Sequence, residues 1–118
     1  LYLAIDGQEI AHYPVEFKCT LMDLDNAETT KRTADGQLTR ERIAVKRQIE
    51  LRFNAMTWDK LSAILTALKP EFVQITYPDP ESGQQETRTF YVSDRESAIA
   101  IERGGMYYWS TGFTLTEK

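Results

Sequence analysis

The chain has 118 residues, 42% of them hydrophobic and 27% charged, with a formal net charge of −4. That length allows one domain with a core of its own, without disulfides or a structural metal. The acidic balance argues against general nucleic-acid affinity, which needs a basic face, and no apolar run approaches the roughly 20 residues of a membrane span.

Leu1 to Ile5 predicts a first strand, closed by Asp6-Gly7, a tight hairpin signal ahead of Ile10. This opening is too short and too soon interrupted for a signal peptide, so none is expected. Pro14 breaks the next strand, because proline has no N–H for the ladder. From Val15 to about Leu24 the chain alternates. Val15, Phe17, Cys19 and Leu21 point one way; Glu16, Lys18, Thr20 and Met22 point the other. Cys19 is the single cysteine. Inside this run it reads as a buried, inert thiol rather than a reactive nucleophile.

The twenty residues from Asp23 to Arg42 are polar and charged, with neither a helical nor a strand period. Loops of this length in a small domain are usually functional or disordered. Asp35-Gly36 sits near the middle as a tip turn, so the segment predicts an extended charged arm, in the form of a frayed hairpin. A strand follows from Ile43 to Phe53, with Ile43, Val45, Ile49, Leu51 and Phe53 on its apolar face. Arg47 falls on that face too. Either its guanidinium reaches an edge, or this part of the strand projects beyond the core.

Trp58 to Lys69 predicts the one helix. Thr57 is the N-cap candidate, Asp59 suits the first turn, and Pro70 ends the segment. Leu61, Ile64, Leu65 and Leu68 form one apolar stripe. Phe72 to Tyr77 is the next strand, and the turn formers from Pro78 to Gly83 lead into its hairpin partner, Gln85 to Ser93. A short strand from Ala98 to Ile101 places Ile99 and Ile101 on one face. Arg103-Gly104-Gly105 then turns the chain into the last strand. There Tyr107, Trp109, Thr111, Phe113 and Leu115 alternate with Met106, Tyr108, Ser110, Gly112 and Thr114. No internal repeat or linker interrupts the order. The expected fold is mainly β, of the α+β kind. It is an antiparallel β-sandwich or partly open barrel with one flanking α-helix and a long early loop, a single domain over residues 1–118.

No constellation in the chain carries catalysis. His12 is the only histidine, and a triad or a histidine-based zinc site needs partners that are absent. Asp23-Leu24-Asp25-Asn26 has carboxylates two residues apart, but lacks the glycine and distal glutamate of a calcium loop. Asp79 and Glu81, set among Pro78 and Pro80, form a turn first and a carboxylate dyad only remotely. Gly104-Gly105 has no helix after it and is a hairpin turn, not a phosphate cradle. No enzyme activity, cofactor or metal is expected.

The basic residues Lys31, Arg32, Arg40, Arg42, Lys46 and Arg47 are more telling, with acids interleaved at Glu28, Asp35 and Glu41. Mixed signs suit pairing with another copy of the chain, or with an acidic neighbour, better than nucleic acid. A merely solvated loop is the alternative. The candidate subunit-interface residues are therefore Lys31, Arg32, Asp35, Arg40, Glu41, Arg42, Lys46 and Arg47. Tyr108 joins them, since Tyr107, Tyr108 and Trp109 occupy both faces of one strand and at least one must face outward. Trp109 is assigned to the core.

Several segments resemble a known family. They are Asp35 to Arg42 running into Ile43-Ala44-Val45-Lys46-Arg47, the Thr57-Trp58 helix start, and Phe72 to Pro80. Thr89 to Arg95 and Trp109-Ser110-Thr111-Gly112-Phe113 complete the set. Together they are similar to short proteins encoded in the tail regions of long-tailed phages and prophages of Gram-positive bacteria. The likeness runs from Asp35 onward and is most specific over Tyr77 to Pro80 and Tyr91 to Arg95. The strand order is also similar to that of tail-tube, tail-terminator and distal-tail building blocks, whose long early loop reaches a neighbouring subunit.

The resemblance implies a non-enzymatic structural protein of the virion tail, made in the bacterial host cytoplasm. It implies assembly as a ring, a hexamer by analogy, through the long loop. Its partners would be itself and neighbouring tail proteins, with no membrane and no specific nucleic acid. The alternative is a monomeric prophage-encoded module that binds a host protein.

Overall fold

The computed structural model describes residues 1–25, 31–32, 38–39 and 42–118, with side chains for 1–23 and 45–118. In chain order the elements are β1 (Ala4–Ile5), β2 (Gln8–Glu9), β3 (Glu16–Asp25), β4 (Lys31–Arg32), β5 (Leu38–Thr39) and β6 (Arg42–Thr57). Then come α1 (Trp58–Ala67), β7 (Val73–Pro78), β8 (Gln85–Val92), β9 (Glu96–Arg103) and β10 (Met106–Glu117). The fold is mainly β with one helix, as the alternation and the single helical stripe predict.

All pairing is antiparallel. One eight-stranded sheet runs in the order β2-β1-β7-β8-β10-β6-β3, with β9 also paired to β10. The sheet is open, ending at β2 and β3. The final strand organises it. One edge of β10 pairs with β6; the other takes β8 near its C-terminal end and β9 along its N-terminal half. At the first hairpin, Asp6 and Gly7 both take positive φ, 50° and 84°, the left-handed pair that a tight two-residue turn demands.

The core lies on one face. Ile49, Leu51 and Phe53 of β6 meet Phe113 and Leu115 of β10, Ile75 and Tyr77 of β7, and Phe90 of β8. Phe53 and Phe113 stack with ring centroids 5.6 Å apart. The helix covers this face, burying Leu61, Ile64 and Leu68. Leu65 is half-buried at the stripe's margin. Thr57 occupies the N-cap in extended conformation without a side-chain cap bond. Its side chain bonds the Asp59 carboxyl instead and lowers that pKa.

Two strands differ from expectation through register shifts. β6 continues past Phe53 to Thr57. Trp109 pairs with Met56 but Thr111 with Phe53, so three residues of β6 span two of β10. This bulge at Asn54 and Ala55 resets the alternation, and Met56 reaches the core. β9 spans Glu96–Arg103 rather than Ala98–Ile101. Its shift sets Ile99 opposite Trp109 and Ile101 opposite Tyr108. The two isoleucines therefore lie on opposite faces, not on one.

The expected arm is also partly strand. β3 runs to Asp25 and β6 begins at Arg42. β4 and β5 pair as a separate ribbon, Lys31 with Thr39 and Arg32 with Leu38. The expected tip turn at Asp35-Gly36 lies outside the described residues.

Candidate functional site

Arg47 is the first of the interface candidates that the fold places decisively. It stands on the core face of β6 and is only 5% exposed. Its Nε donates to Asp79 Oδ2 at 2.9 Å and its Nη2 to Glu81 Oε1 at 3.1 Å. Its backbone N–H donates to Glu117 Oε1 at 2.9 Å. Asp79 is itself 3% exposed. Its other oxygen accepts the Glu81 N–H at 3.0 Å, and Tyr77 Oη lies 3.4 Å from its Oδ2. Glu117 also meets Arg88 Nη1 at 3.3 Å.

This cluster closes on itself. It fastens β6 to the β7–β8 turn and to the end of β10. Burial works against the charge of Arg47, but Asp79, Tyr77 and Glu117 outweigh it and raise the guanidinium pKa further. Burial first, and the Asp79 charge second, push the Tyr77 phenol well above its ordinary value. Burial likewise raises the Cys19 thiol, with a smaller rise from Asp79. A raised thiol is a poor nucleophile at neutral pH. Arg47 thus takes up its charge inside the chain, contrary to a role at a subunit surface. The reason is that a buried guanidinium needs buried partners, and Asp79 supplies one.

The other candidates fall in two places. Lys31 and Arg32 make up β4, and Arg42 opens β6 opposite Asp25. Asp35, Arg40 and Glu41 lie outside the described residues. Lys46 is half-buried on β6, opposite Met22. Tyr108 is half-buried opposite Thr57. Arg42 and Thr57 are the two ends of β6, about 50 Å apart at 3.3 Å per residue. The structure therefore does not bring Tyr108 together with the basic cluster.

The end near Tyr108 carries exposed aromatic and apolar surface that sequence reading understated. Trp58, 58% exposed, leads the helix. Its ring lies 5.7 Å from Tyr107 edge-on and 5.9 Å from Trp109. Trp109 packs against the core, as assigned, but its buried Nε1 has no partner. Ile99, Ile101 and Met106 are each about half exposed, and every residue of β9 is exposed. The available signal was the Trp58 side chain at the first helical position, outside the Leu61-Ile64-Leu68 stripe. Among the described residues, no three His, Cys, Asp or Glu side chains stand where they could hold a metal, and no helix is long and apolar enough to cross a membrane.

Fold and surfaces together define a mainly antiparallel β protein with one helix, an internally satisfied ionic cluster, and charged and apolar surfaces at opposite ends of its longest strand. The chain belongs to a family of unknown function, DUF6711, which it matches over residues 10–118. No curated protein matches it.

Proposed function

We propose that this chain is a non-enzymatic structural protein of a tailed phage or prophage, a tail or distal-tail component that assembles into a ring through its long early loop. The observation that carries the reading is the separation of two kinds of charge. The buried cations, Arg47 above all, are neutralised inside the fold. The remaining basic residues gather on the segment beyond Asp25, away from the core. A charged segment with no work inside its own domain suits contact with a neighbour. The resemblance of Tyr77 to Pro80 and Tyr91 to Arg95 to phage-tail proteins supplies the setting, and the ring is a hexamer by analogy. Its partners are other copies and adjoining tail proteins, and its place is the virion tail.

A second reading is a monomeric prophage module bound to a host protein. It is favoured by the exposed Trp58, Ile99 and Met106, since aromatic and apolar side chains are enriched where proteins meet. Sedimentation across a concentration series separates the two. The ring reading expects one discrete oligomer that grows in with concentration. A chain that stays monomeric throughout removes the ring and leaves the host-binding module.

A further inference from the structure

We propose that the charged segment of one copy docks in a groove on the outer face of the next, joining copies head to tail. This rests on the ring reading above and names the acceptor for the loop. The groove lies on the sheet face away from the core, has a volume of about 850 Å³, and is lined by Val15, Arg52, Asn54, Glu96, Ala98 and Ser110. A second hollow adjoins it, sharing Arg52, Glu96 and Gly112 and adding Glu16, Glu50 and Asp94.

One wall is a strand edge. β9 pairs only with β10, so among the described residues its other edge is open. An open edge is a template for an added extended segment. The walls are acidic. Glu50, Asp94 and Glu96 stand beside Glu16, while the groove's one cation, Arg52, is already paired to Glu16 at 2.8 Å. The groove therefore fits an extended segment carrying cations. Residues 31–42 carry Lys31, Arg32, Arg40 and Arg42 against Asp35 and Glu41, a net charge of +2. The described parts of that segment are strands.

Donor and acceptor cannot meet within one chain. The segment springs from the ladder where Asp25 pairs with Arg42, and the groove begins where Glu16 pairs with Arg52. Those points are nine residues apart along β3, about 30 Å. Lys31 pairs with Thr39, three residues before Arg42, which keeps it within about 16 Å of Arg42. The contact has to form between copies. With donor at one end and acceptor at the other it is heterologous, and such contacts close into rings or run on as filaments.

The test uses two variants of the full chain and sedimentation velocity. R40E/R42E removes the donor charges. E50K/E96K reverses two exposed acids of the acceptor. Circular dichroism and a thermal melt verify each fold, and Ala98→Arg serves as a second acceptor variant should E50K/E96K melt early. Each variant alone is expected to self-associate about tenfold more weakly or worse. Mixed together they are expected to form a one-to-one pair that grows no further, since one intact donor meets one intact acceptor. An acceptor variant that assembles like the wild type overturns the groove and leaves the ring reading standing. Two defective variants that stay apart when mixed overturn the head-to-tail joint. A wild-type chain that never associates removes the ring reading and the groove together.

Discussion

Arg47 shows how a single residue can be misplaced by its type. Its position on an apolar face was legible in the alternation of β6; its partner was not, because Asp79 is 32 residues away. Removing one member of such a buried pair leaves an uncompensated charge. Asp79→Ala should destabilise by about 3–5 kcal/mol in urea unfolding. The double replacement Arg47→Met with Asp79→Leu should cost clearly less, because no charge is then stranded. Equal losses for the single and double variants would show that the pair adds nothing beyond its volume.

Tyr77 gives a second test at this scale. In the unfolded chain its phenol ionises near 10. In the fold, burial and then the Asp79 charge raise that value. Between the two values the folded state keeps a proton that the unfolded state has lost. Stability from this group is therefore fully present below about pH 10 and declines as pH rises above it. Urea midpoints at pH 8, 10 and 11 should fall in that order, and Tyr77→Phe should shallow the decline. Tyr13, whose phenol is raised through its hydrogen bond to Glu9, accounts for part of what remains.

At the scale of elements, periodicity located the helix and its buried side but not the depth of each residue. Leu68, just past the last helical residue, is fully buried, whereas Leu65 sits at the margin. Leu68→Ala should cost about 2–5 kcal/mol, as large-to-small core changes do, and Leu65→Ala distinctly less. Denaturant unfolding of both variants measures the difference. A reversed order would mean that the helix is rotated on the sheet. The bulges were the least legible features. Nothing in Asn54-Ala55 or in Ala100 announces an extra residue, because a bulge is defined by the partner strand. Each nevertheless decides which face the following side chains take, Met56 in one strand and Ile101 in the other.

For the whole molecule, the proposed assembly through charge has a direct consequence. Exposed charge pairs are screened, with a Debye length of about 8 Å at physiological ionic strength. Self-association should weaken as salt rises from 50 mM to 500 mM, roughly a threefold fall in that length, and R40E/R42E should respond less. Analytical ultracentrifugation across the salt series measures both. Association that strengthens with salt would point instead to the apolar surface at Trp58, Ile99 and Met106 as the contact.

Local rules were enough for what is local. The Asp6-Gly7 turn, the helical stripe, and the inward set Phe113 and Leu115 follow from backbone conformation and side-chain period, and those depend on near neighbours in the chain. The mainly β class follows from them by addition. Strand order, the burial of Arg47 against Asp79, and the opposite faces of Ile99 and Ile101 depend on which segments meet. So does the spacing that sets the Asp25–Arg42 end about 30 Å from the groove. Those meetings are chosen by the total apolar area one sheet face can bury around one helix. That quantity belongs to the folded chain as a whole, and no stretch of sequence carries it alone.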